Sequence, residues 1–184
     1  MDDNTISILL EGIAQLHPAK NAEFVVPQRS GYYSIIIDDP ASLPTPFDLL
    51  LHQRSTNLIY VGIASVSLLK RLVKQDLRHK GPSTFFRGIG PILGFRPQRG
   101  SLLKKKNKRN YQFSQQDTQT IITWINDHLF IRWVEVVNTR SHPSVKRAAI
   151  RRLCPILNTT DNPNPSQELA ALRVECRKIA CAID

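Results

Sequence analysis

Gly31-Tyr32-Tyr33-Ser34-Ile35-Ile36-Ile37-Asp38 and, further on, Leu58-Ile59-Tyr60-Val61-Gly62-Ile63 are the two stretches on which the fold of this chain turns. Both are rich in β-branched and aromatic side chains, so both are expected as strands, over 32–38 and 58–63. Asp38-Asp39-Pro40 breaks the first. Residues 40–56 carry three prolines and read as a loop with a short helix at Phe47–Leu51. Gly31 and Gly62 fit places where backbones approach closely, because glycine has no Cβ.

Outward from these strands the pattern turns helical. Val66, Leu69, Leu72, Val73 and Leu77 define an apolar stripe, with Lys70, Arg71, Lys74 and Arg78 on the other side. Gly81-Pro82 stops that helix, and Ser83 can cap a short one containing Phe85 and Phe86, ending around Gly88–Gly94. Ser114 with Asp117 resembles a capping box, opening a helix to about residue 128. Residues 130–138 are expected as a third strand. Residues 144–154 are expected as a helix with Val145, Ala149 and Leu153 on one stripe. A last helix is expected over 165–181, capped by Asn164, with Pro165 at its first position and Leu169, Leu172, Cys176 and Ile179 inward. Upstream, Ile6, Leu9, Leu10, Ile13 and Leu16 mark an amphipathic helix over 4–17. This order predicts an α/β (α+β) fold: a small three-stranded, mainly antiparallel sheet flanked by helices. It divides into an N-terminal helical extension (1–28), a domain (29–160) and a C-terminal helix packed on it (161–184).

At 184 residues and 41% hydrophobic content, the chain is long enough to bury a core. No apolar run approaches the roughly 20 residues of a membrane span. The acidic start Met1-Asp2-Asp3-Asn4 lacks the basic beginning of a secretory signal. Cys154, Cys176 and Cys181 have no metal-ligand spacing and read as reduced thiols of a cytoplasmic protein. The net charge of +10 implies a polyanionic partner, most plainly nucleic acid. The charge is clustered: Arg96, Arg99, Lys104, Lys105, Lys106, Lys108 and Arg109 form an acid-free run, and Arg140, Lys146, Arg147, Arg151 and Arg152 form another. Each run reads either as a solvated surface or as a contact for phosphates.

Taken in order, Gly31-Tyr32-Tyr33, Tyr60-Val61-Gly62, the basic helix with Arg71, and Pro155-Ile156-Leu157-Asn158 resemble the GIY-YIG nuclease superfamily over roughly residues 29–160. The resemblance implies a metal-dependent endonuclease that hydrolyses DNA phosphodiester bonds. It places Tyr33 and Tyr60 side by side on neighbouring strands, one orienting or deprotonating the attacking water and the other binding the phosphate region. Arg71 would clamp a phosphate oxygen, with Lys70 as a weaker candidate because spacing varies by a residue. His79 is a candidate for proton transfer, or equally a cation favoured at a helix end. Arg87, in Thr84-Phe85-Phe86-Arg87-Gly88, resembles a bacterial subgroup of the family. Asn158 would hold the geometry of the site rather than take part in bond making. The family joins its two motif strands by a short hairpin, whereas 26 residues separate Tyr33 from Tyr60 here. That insertion reads as a substrate-facing loop or as decoration.

The resemblance also exposes a departure. The family glutamate that binds Mg²⁺ or Mn²⁺ lies twelve residues before the Asn, and that position holds Lys146. Hard cations take carboxylate oxygens, which an ammonium cannot replace. Lys146 is also expected in the first turn of a helix, where the dipole disfavours it. An engineered inactivation, a degenerate nuclease that binds without cutting, and a ligand drawn from Glu135 or Asp161 all remain open. The functional expectation is a DNA endonuclease of this type impaired at Lys146. The alternative is a non-catalytic nucleic-acid-binding protein on the same fold. In either case Arg87, Arg99, Lys104, Lys105, Lys106, Lys108, Arg109, Arg147 and Arg151 are the expected nucleic-acid contacts.

Overall fold

The computed structural model describes residues 15–136 and 142–183. The helix expected over 4–17 lies outside the described residues except at its end, where Gln15 and Leu16 are not helical. His17–Pro18 instead form a short strand, β1. With β2 (Gly31–Ile37), β3 (Leu58–Ala64) and β4 (Leu129–Glu135) it makes a four-stranded sheet of order β1-β4-β2-β3, antiparallel throughout. The expectation of three strands is thus corrected. Two residues including a proline carry no alternating pattern, and β1 exists through its partner: His17 pairs with Ile131 and stacks on Trp133 at 4.8 Å.

The helices are α1 (Ala22–Val25), α2 (Phe47–Gln53), a π-helix (Leu69–Leu77), α3 (Phe86–Ile92), α4 (Gln115–His128), α5 (His142–Leu153) and α6 (Gln167–Cys181). They cover both faces of the sheet. Tyr33, Ile35 and Ile37 of β2 enter the main core with Phe47, Leu72 and Phe85, among others. On the opposite face Tyr32 packs with Val145, while Leu58 and Val61 pack with Ala149 and Ile150 of α5. A strand buried on both faces reads as an unbroken apolar run, as β2 does. No helix among the described residues is long and apolar enough to cross a membrane.

The insertion between β2 and β3 is built into this core. Phe47 and Leu51 of α2 are buried, and Arg54 just after it donates to the carbonyls of Cys154 and Asn164. The last helix starts two residues later than expected. Its cap is Ser166, whose Oγ accepts from the Leu169 amide at 3.0 Å. Asn164 is occupied in the preceding turn, its amide donating to Asn162 Oδ1. Along α6, Leu169, Cys176 and Ala180 are buried, while Leu172 is half-buried. All three cysteines are free thiols.

Candidate active site

Strand register sets the tyrosines. Tyr33 lies opposite Gly62 and Ile35 opposite Tyr60, so both phenols stand diagonally on one face of the β2–β3 pair. Their ring centroids are 6.3 Å apart, and Tyr60 packs on Phe85 at 5.5 Å. Gly62 is required by this arrangement, since a Cβ there would lie 2.0 Å from Tyr33 Cζ. Gly31 is equally constrained, its Cβ falling 2.2 Å from the Val134 carbonyl oxygen.

The helix after β3 is wound wider than its sequence pattern implies. Its backbone bonds span five residues, as in the Arg78 amide to the Val73 carbonyl at 3.0 Å. On an α-helix, with about 100° per residue, residues five apart point roughly 140° away from each other. The π-turn brings such residues into register instead, and turns of this kind frequently mark functional sites. Arg71 Nη1 thereby meets Asp76 Oδ1 at 2.6 Å.

Asp76 is the functional residue that sequence reasoning missed. It is fully buried and gathers three donors: Tyr33 Oη on Oδ2, with Arg71 Nη1 and Ser83 Oγ (2.6 Å) on Oδ1. Ser83 Oγ in turn accepts from the Phe86 amide at 2.9 Å in the turn that leads into α3, whose own N-cap position is Phe85 rather than the expected Ser83. The available signal was an acid on the inward stripe, three residues after Val73 and four after Leu72.

Burial pushes the Asp76 carboxyl up, against the Arg71 charge and the hydrogen bonds from Ser83 and Tyr33. Burial and then the Asp76 charge hold the Tyr33 hydroxyl well above the usual phenol range, and the same causes raise Tyr60. Both phenols therefore stay protonated, and Tyr33 is a donor to Asp76. Both rings are buried in the main core, so the geometry gives neither the character of a base and turns the Tyr33 hydroxyl to Asp76. The Arg71 charge also acts on Tyr60, against the rise, and 28% of the Arg71 side chain is exposed along a groove with Ser65, Ser67 and Lys70. Lys70 itself is exposed, so of the two basic candidates Arg71 is the one that joins the tyrosines.

Lys146 stands on α5, which packs on the face of the sheet opposite to the two tyrosines. It is half-buried, and its ammonium is pulled down by burial and by the Arg71 charge, while Asp76 and Asp161 oppose this. Because α5 begins at His142, with Pro143 tolerated in its first turn, Lys146 sits beyond that turn. The dipole argument against a lysine there therefore loses force.

The residues present do not fit Mg²⁺ or Mn²⁺. Both Asp76 oxygens are taken by donors, Glu135 pairs with Arg29 at 3.3 Å, and Asp161 faces Arg147 at 3.8 Å. No group of three or more His, Cys, Asp or Glu side chains is placed to hold a metal among the described residues. A hard cation needs several oxygens.

Asn158 acts on the edge of β3. Its Oδ1 accepts from the Val61 amide at 2.9 Å and its Nδ2 donates to the Val61 carbonyl at 3.0 Å. The Leu157 amide extends the same edge to the Ile59 carbonyl. Asn162, also absent from the sequence reading, holds the Asn158 carbonyl at 2.8 Å. The structure thus joins Tyr33, Tyr60 and Arg71 around Asp76, with Asn158 bracing the strand that carries Tyr60, while Lys146 is linked to them only through the charges of Arg71 and Asp76. His79 packs elsewhere: its ring stacks on Phe86 at 4.2 Å, and burial, aided by the Arg87 charge, lowers its pKa to about 4.

All the expected nucleic-acid contacts except Arg87 are exposed, and they divide by whether the side chain is engaged within the chain. Lys104, Lys105, Lys106, Arg109 and Arg151 reach into solvent. Lys108 is tied to the Leu102 and Leu103 carbonyls, Arg99 to the Ile183 carbonyl, and Arg147 faces Asp161. Arg87 donates to the Ser83 and Arg109 carbonyls. The basic loop is fastened to α6 through Leu102 and the Arg96–Glu175 pair at 2.9 Å. Arg140 lies outside the described residues.

Comparison with curated proteins and with solved structures finds no match. Comparison with protein families finds one that covers most of the chain. It begins at Gly31, the first residue of the first tripeptide, and runs into α6 at residue 178, so the last helix falls within the matched region. The chain belongs to the GIY-YIG catalytic domain family, a nuclease-type domain.

Proposed function

We propose that this protein binds DNA at the groove that exposes Arg71, with Tyr33 and Tyr60 buried behind it, and that Lys146 deprives it of the metal-dependent cleavage of its family. The observation that carries this reading is the ammonium of Lys146 in the field of Arg71 and Asp76. A phosphodiester at this groove meets the field of two cations. Arg71 offers a planar fork matched to phosphate oxygens, and Lys146 supplies a point charge where the family places its cation. A divalent ion is repelled there by the ammonium and lacks carboxylate ligands. The half-buried Lys146 also gains from an anion, because burial without a counter-charge is unfavourable. The net charge of +10 and the exposed lysines at 104–106 favour the same partner.

The test is Lys146→Glu, incubated with supercoiled plasmid and Mg²⁺ or Mn²⁺. The expected result is metal-dependent nicking by the variant and none by the wild-type chain, with weaker metal-free DNA binding by the variant. Adding Arg71→Ala or Tyr33→Phe should abolish the gained activity. Metal-dependent nicking by the wild-type chain at the variant's rate would overturn the assignment. A Lys146→Glu protein that binds metal and DNA yet never cuts would place the defect beyond Lys146 and leave the binding role.

A further inference from the structure

Between α3 and α6 lies a cavity of about 400 Å³. Arg87, Arg109, Arg173 and Arg177 line it, together with Thr159 and Thr160, and its lining contains no Asp or Glu. None of the four arginines forms an ion pair among the described residues, whereas Arg71, Arg78 and Arg96 each reach a carboxylate. Arg173 is half-buried and held only by neutral oxygens: Thr159 Oγ1 at 3.0 Å, the Leu157 carbonyl at 3.1 Å and the Thr84 carbonyl at 3.2 Å. Arg87 is fixed in the same manner by carbonyls and lies over the Tyr111 ring at 5.9 Å. Thr159 accepts from Arg173, which leaves its hydroxyl proton to donate into the cavity.

We propose that this cavity is a phosphate-binding pocket, taking either a phosphodiester of a bound strand or the phosphates of a free nucleotide. Four guanidiniums without a carboxylate leave a concentrated positive charge, and half-buried charges are stable only when paired. Guanidinium forks match phosphate oxygens in geometry and form strong, charge-assisted hydrogen bonds. The volume falls in the range of small-ligand sites, about 300–1,000 Å³. Burial lowers both Arg87 and Arg173, and the Arg109 charge adds to it at Arg87 as the Arg87 charge does at Arg173. An entering anion would relieve both effects. For the strand source this pocket deepens the proposed function and rests on it; for a free nucleotide it does not.

The test compares Arg109→Gln/Arg177→Gln with Lys74→Gln/Lys80→Gln, which removes the same charge from an exposed surface elsewhere. The first pair is chosen because Arg173 and Arg87 anchor backbone carbonyls, whereas the side chains of Arg109 and Arg177 make no hydrogen bond among the described residues. Inorganic tripolyphosphate is titrated by calorimetry and a short DNA duplex by fluorescence anisotropy, with thermal melting to verify folding. The arginine pair should weaken binding by about tenfold or more, as the loss of bonds to charged groups implies, while the lysine pair should leave tripolyphosphate binding unchanged. Loss for tripolyphosphate alone identifies a free nucleotide, and loss that includes DNA identifies the strand. Equal behaviour of the two double variants with both probes overturns the pocket, even where Arg71→Ala abolishes DNA binding and the proposed function stands. If the wild-type chain ignores DNA but binds tripolyphosphate through the arginine pair, the pocket stands and the DNA reading falls.

Discussion

A single buried carboxylate governs how Arg71 can meet a ligand. Asp76 fixes one side of the guanidinium and holds the Tyr33 hydroxyl, so the part of Arg71 left to a phosphate is already oriented. Asp76→Ala would strand the Tyr33 and Ser83 hydroxyls and leave Arg71 unpaired. It should cost about 3–5 kcal/mol, the range for breaking a buried pair. The readout is a lowered urea midpoint, accompanied by weaker DNA binding. At this scale the tyrosines, Arg71 and Asn158 were legible because each is tied to a short motif. Asp76 was not, for two physical reasons. Its contact with Tyr33 spans 43 residues of sequence, and an α-helical period points it away from Arg71. His79 was misleading in the opposite way, since a histidine near a basic helix end resembles a proton carrier until its stacking on Phe86 is seen.

Among the elements, β2 and β3 were legible from their β-branched and aromatic composition, and α4 from its Ser114 cap, whose Oγ accepts from the Asp117 amide at 3.0 Å. The π-helix was not, because its apolar stripe also satisfies an ordinary helix and the winding is decided by what Asp76 bonds. β1 was invisible, as two residues carry no periodicity. The segment after α5 shows how one side chain can finish an element. Asn158 supplies a donor and an acceptor to Val61, which lies within the Tyr60-Val61-Gly62 motif. Asn158→Ala leaves two buried backbone groups without partners and should cost about 2–4 kcal/mol. Faster hydrogen exchange at the Val61 amide would accompany the lower melting temperature. An unchanged exchange rate would show that the amide is not what holds this strand.

At the scale of the whole molecule, the positive charge has two uses. Some cations are engaged within the chain, as with Arg96 on Glu175 and Lys108 on loop carbonyls, and others reach into solvent. Lys104, Lys105 and Lys106 belong to the second group. Replacing all three by Ala should weaken DNA binding regardless of sequence. It should also flatten the slope of log affinity against log salt by up to about 2.7, since each phosphate contact contributes roughly 0.9. An unchanged slope would make that loop a solvated surface. The closure of β3 by Leu157 and Asn158 has a consequence beyond the groove. An edge strand with unpaired amides and carbonyls is a template on which another chain can add a strand. Here the outer ladder of β3 is met at Ile59 and Val61 by the chain's own later segment. The opposite edge is two residues long and includes a proline, which has no amide to offer. A β3 border closed in this way leaves an added strand few free groups to pair with there, which opposes strand-by-strand stacking on that side.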